Sequence, residues 1–134
     1  MTNDRMATEA DVVTKLSPQS VHETAAKLTA IISAKGMKLF AVIDQAAEAR
    51  QVGLTLRETL LVIFGSPQAG TPVMAASPLS ALDLPLKVLI WADGGQTKVS
   101  YYAPAALAAS HHLTADLAAN LAGINALTDA LVAS

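Results

Sequence analysis

Asp44 closes the apolar run "MKLFAVID" and stands directly before the alanine-rich "QAAEARQVG". A carboxylate there has two uses. As a helix cap it stabilises by about 1 kcal/mol. As an acid, a base or a polar anchor it needs a partner within about 3 Å, or one water away. The histidines are His22, His111 and His112. Adjacent histidines diverge by about 100° on a helix or point to opposite faces of a strand, so His111 and His112 make a poor chelate. His-x-x-x-His spacing is absent, and so is cysteine, which removes disulfides, thiolate nucleophiles and Cys-ligated zinc. No metal site and no cofactor are expected. Serines are plentiful without a Gly-x-Ser-x-Gly elbow.

The stretch "LLVIFGSPQAGTPVM", residues 60–74, holds Gly65 and Gly70 at the separation of a phosphate-binding loop. Thr71 stands where that loop needs lysine, and Pro72 where it needs a metal-binding hydroxyl. Pro67 removes a further backbone N–H. The stretch therefore predicts a turn followed by a helix, with Thr71 as cap and Pro72 at the first helical position. The helix start is a weak anion site at most. Phe64 and Met74 flank this segment, and Trp91, Tyr101 and Tyr102 lie on later apolar runs. These large side chains serve either as core and interface or as the wall of a pocket.

Elements must position these groups. "DVVTKL" (11–16) predicts a strand. Residues 17–36 predict a helix, with a Ser20/Glu23 capping box, an apolar stripe of Val21, Ala25, Leu28, Ile31 and Ile32, and Gly36 past its end. Residues 37–44 predict a strand, with Met37, Leu39, Ala41 and Ile43 on one face and Phe40 and Val42 on the other. Asp44 starts a short helix that Gly53 ends. Residues 57–65 are the most apolar strand, expected to be central and buried on both faces. Two helical turns follow, opened by Thr71-Pro72 and Ser77-Pro78. Strands over 84–92 and 97–102 flank the turn "DGGQ". A long helix over 114–133 ends the chain, capped by Thr114 and striped by Leu117, Leu121, Ile124 and Leu131.

The expected class is α+β: a largely antiparallel sheet with two main helices packed on one face. Residues 1–10 are polar and are expected to form a flexible terminus, with residues 11–134 expected to form one domain. The net charge of −2 comes without a basic cluster, so no nucleic acid is expected as partner. No run reaches the roughly 18 apolar residues of a membrane span, and the first residues lack a signal peptide's apolar segment. A cytoplasmic protein without membrane partners is the expectation. Of all residues 52% are apolar, but many are alanine, so surface remains for a partner chain.

The segments "FGSPQAGTPVM" (64–74) and "LDLPLKVLIW" (82–91) resemble the DUF302 family of small bacterial and archaeal domains. "ETAAKL" (23–28), "GMKLFAVID" (36–44), "GLTLRETLLVIFG" (53–65) and "VSYYAP" (99–104) extend the resemblance over about Val12 to Leu113. It implies an antiparallel α+β fold, similar to one repeat of the TATA-binding-protein fold, and a homodimer. It does not imply DNA binding, and the family has no established function. His111 matches a histidine frequent in the family. Departures are Gln45, where histidine is usual after the aspartate; Ser66, where asparagine is common; and Tyr102-Ala103 in place of Asn-Asp before Pro104. These changes weaken an Asp/His-based site.

Three functions compete. The first is a dimeric small-molecule-binding domain, with a site among Asp44, Phe64, Gly65, Gly70, Thr71, Met74, Trp91, Tyr101 and His111 and no catalytic group. The second is an enzyme using Asp44 and His111 as acid-base or metal groups. The third is a structural or protein-interaction module.

Overall fold

A computed structural model describes residues 11–133. Five strands form one sheet: β1 (Val12–Ser17), β2 (Lys38–Asp44), β3 (Thr59–Gly65), β4 (Leu86–Asp93) and β5 (Gln96–Tyr102). Their order across the sheet is β1-β5-β4-β3-β2, and every neighbouring pair is antiparallel. The helices are α1 (Val21–Ala34), α2 (Gln45–Gln51), α3 (Pro67–Ala76), α4 (Pro104–Ser110), α5 (Ala115–Ala119) and α6 (Gly123–Val132). A 3-10 helix, Pro78–Leu82, follows α3. The class is α+β, as the sequence predicts.

The two longest apolar stripes pack on one sheet face. Leu28 and Ile32 of α1, with Ile124, Leu127 and Leu131 of α6, meet Val62, Phe64, Val88, Ile90 and Val99. The Ser20/Glu23 capping box forms, each partner satisfying a backbone N–H that the first turn leaves free. At the other end of α1, Gly36 takes φ +70°. Its N–H bonds Ser33 and that of Met37 bonds Ile32, which completes a left-handed helix stop.

Four expectations change. β3 lies beside the edge strand, and β4 is the middle strand. Leu60, Val62 and Phe64 are buried under the helices, while Leu61 and Ile63 are half-buried on the opposite face. That second face is also apolar, which is why β3 has so continuous a run. In β2, the pairing shifts register between Leu39 and Ala41, with Phe40 the extra residue. Leu39 then pairs with Phe64 and Ala41 with Ile63, so Leu39 and Ala41 part to opposite faces.

The helix predicted to start at Thr71 starts five residues earlier. Ser66 is its cap and Pro67 its first residue, while Thr71 and Pro72 lie inside it. Ser66-Pro67 and Thr71-Pro72 carry the same start signal, and the earlier one adds a full turn. Gly65–Gly70 is thus the end of a strand and the first turn of a helix, with no loop to cradle a phosphate.

The single helix expected over 114–133 is two. Residues 120, 121 and 122 each donate a backbone N–H three residues back, a tightening that breaks the α pattern before Gly123. The short helix α4, opened by Pro104, was not foreseen.

Candidate functional site

The end of the sheet where β3 finishes and β4 begins is left open by the early start of α3 and the break before α6. Between them lies a cavity of about 470 Å³. Phe64 and Gly65 form its floor, Gly70 and Met74 its α3 wall, and Ile124 and Leu127 its α6 wall. Leu84, Pro85 and Leu86 close it from the start of β4, and Phe40 from the bulge of β2. An apolar lining means that water inside makes few hydrogen bonds, and a volume in the range of 300–1,000 Å³ suits a small ligand.

Polar groups are few. Ser66 is occupied as the α3 cap, 3.3 Å from the Ala69 nitrogen. The Asn120 side-chain nitrogen donates to the Ala69 carbonyl at 3.1 Å, tying the α5–α6 corner to α3 across the cavity. Lys35, exposed at the end of α1, lines the rim. Among the described residues, no acidic side chain lines the cavity.

The structure brings Phe64, Gly65, Gly70 and Met74 together in this cavity and places the other candidate residues elsewhere. Asp44 caps α2, its carboxylate accepting from Ala47 at 2.9 Å. Thr71 is an exposed residue of α3. Trp91 lies on the sheet face away from α1 and α6, between Thr59 and Lys98, its indole N–H donating to Ser100 at 3.0 Å. Tyr101 is buried under the helices, and its hydroxyl donates to Asn125 Oδ1 at 2.8 Å.

His111 lines a second, polar pocket of about 340 Å³ with Asp11, Tyr102 and Ser110. Its Nε2 is 2.6 Å from Asp83 Oδ2. Tyr102 is on β5 and Asp44 on β2, three strands apart, or about 14 Å at ~4.8 Å per strand. Asp44 and His111 therefore do not share a site within one chain. Among the described residues, no three His, Asp or Glu side chains gather in a way that could hold a metal ion.

Lys35, Phe40, Asn120, Leu121, Ile124 and Leu127 join the cavity without having been singled out. Phe40 is 45% exposed on the edge strand, a placement that its alternating sequence does not reveal. The α6 residues carried no signal, because they are indistinguishable in sequence from the rest of the core stripe.

The fold is a small antiparallel α+β architecture with an apolar cavity at one end of its sheet. Residues 13–131 match the DUF302 domain, a domain of unknown function, and the chain belongs to that family. Its fold is similar to that of an uncharacterized conserved DUF302 protein from Bacillus stearothermophilus. That similarity has a TM-score of 0.77 at 19% identity and covers 91% of this chain and 95% of the other. The chain is also similar to proteins named fluoride-specific ion channel FluC 1 from Brucella suis and Brucella abortus. Each is 40% identical over 106 residues, which is 78% of this chain but only 42% and 39% of those relatives. The chain thus spans about two fifths of the curated relatives it matches. None of the helices described here is long and apolar enough to cross a membrane.

Proposed function

We propose that this chain is a small-molecule-binding domain whose ligand occupies the cavity between α3 and α6. The cavity itself carries the reading: about 470 Å³ of apolar space at a sheet end, walled by Phe64, Gly65, Gly70 and Met74. Hydrophobic burial of a ligand there gains about 25 cal/mol per Å². The domain works in the cytoplasm as a homodimer through the half-buried apolar face of Leu61, Ile63, Leu89 and Trp91, since an antiparallel sheet covered on one side only leaves such a face to a partner.

The Brucella relatives fit this reading. A fluoride channel has to cross the membrane, and the segment they share with this chain has no membrane-crossing helix in its form here. On this reading the segment they share with this chain is a binding domain with a sensing or accessory role, and conduction belongs to the rest of those relatives.

The test uses the neutral apolar dye N-phenyl-1-naphthylamine. It should bind saturably with one site per chain. Gly70→Phe and Ala126→Leu, which fill the cavity from opposite walls, should abolish binding while circular dichroism stays unchanged. Unsaturable binding, or binding unaltered in both filled variants, would refute the proposal.

A further inference from the structure

The charge around the cavity is unlike that of the chain. The protein carries a net −2, with 11 acidic residues against 9 basic ones. Yet among the described residues no acidic side chain lines the cavity, and the one charged lining residue is Lys35. A second cation touches the wall from outside the lining: the Lys38 ammonium lies 5.1 Å from the centroid of the Phe40 ring, which is itself part of the wall. Neither lysine is in an ion pair among the described residues, whereas Lys15 and Lys98 each have an aspartate within 2.8 Å. An unpaired ammonium at the rim of an apolar hole, with a second against the Phe40 ring of its wall, favours an apolar body with a single anionic end.

Resting on the reading of the cavity as a ligand site, we infer that its ligand class is a monocarboxylate with an apolar tail. The tail fills the space against Phe64, Met74 and Leu127. The carboxylate stays at the rim, paired with Lys35, so neither charge is buried and no desolvation penalty opposes binding. The apolar part sets affinity and the lysines set the sign of charge accepted. Each methylene buried is worth about a fourfold gain in affinity until the cavity is full. An exposed ion pair is worth up to about fivefold.

Hexanoate, octanoate and decanoate, with the matching alcohols and amines, should be titrated against the bound neutral dye in the wild-type protein, Lys35→Gln and Lys35→Gln/Lys38→Gln. Carboxylates should displace the dye with affinity rising about fourfold per methylene. Lys35→Gln should weaken them about threefold to fivefold and leave the alcohols unchanged, and added salt should weaken the carboxylates alone. Both lysines are exposed, so the fold does not depend on them. Carboxylates and alcohols shifted equally by Lys35→Gln, or amines preferred, would overturn the anion assignment while leaving the cavity as a binding site. Dye binding without displacement by any chain would overturn the ligand class alone. Failure of the dye to bind would remove the cavity reading and this inference with it.

Discussion

Gly70→Ala and Gly36→Ala change the same atom and should shift stability in opposite directions. Gly70 is the fourth residue of α3 and does not have positive φ. A Cβ there would sit 3.8 Å from Met74 Cε, an ordinary contact on the cavity wall. Alanine in place of a helical glycine stabilises by about 0.8–1 kcal/mol, and the added contact opposes none of it. For a chain of this size the melting temperature should rise by about 4 °C. Gly36 has open space around its Cα but φ +70°. An alanine there meets its own carbonyl rather than a neighbour, and should cost about 1–2 kcal/mol. Urea unfolding with fixed m-values reads both changes. Destabilisation by Gly70→Ala beyond about 0.5 kcal/mol would mean that residue 70 is not helical or that the cavity is filled by protein, and the argument for the site would fall. A neutral Gly36→Ala would refute the left-handed stop of α1.

Asp44→Ala should lower stability by about 1 kcal/mol through loss of the α2 cap and leave dye binding unchanged in a fluorescence titration; lost binding would tie Asp44 to the site. The hydrogen bond from Lys98, then its charge, holds the Asp93 carboxyl below its ordinary value of 3.8, with Arg57 adding a smaller pull. A depressed carboxylate stabilises the fold above its unfolded pKa and loses that contribution as pH falls through the folded value. Lys98→Met should therefore move the Asp93 titration upward by NMR and narrow the wild-type advantage only below about pH 4; an unmoved titration would refute the pairing. Leu61→Glu, on the open sheet face, should convert the proposed dimer to monomer in sedimentation, and a persisting dimer would place the interface elsewhere.

Elements with local signals were legible in the sequence. The α1 capping box, its glycine stop, the Asp44 cap and the two-residue hairpin turn before β5 each depend on residues within a few positions of one another. The start of α3 was not legible, because two serine- or threonine-proline signals compete within seven residues and the local pattern does not choose between them. Likewise nothing in "ADLAANLAGINAL" announces the break before Gly123, since the stripe of Leu117, Leu121 and Ile124 continues through it.

The candidate site divides along the same line. Phe64, Gly65, Gly70 and Met74 lie within eleven residues of one another, so chain proximity alone placed them together. Trp91, Tyr101 and His111 were grouped with them by chemical type, and the sheet separates them by face and by strand. Composition and local spacing determined the class of fold, the absence of cysteine chemistry and the caps, since these depend on residue type and near neighbours. Only the tertiary structure decided where empty space remains. A cavity is what packing leaves between α3, α6 and the sheet end. Its volume and its rim lysine depend on segments as far apart as Lys35 and Leu127, which no local pattern records.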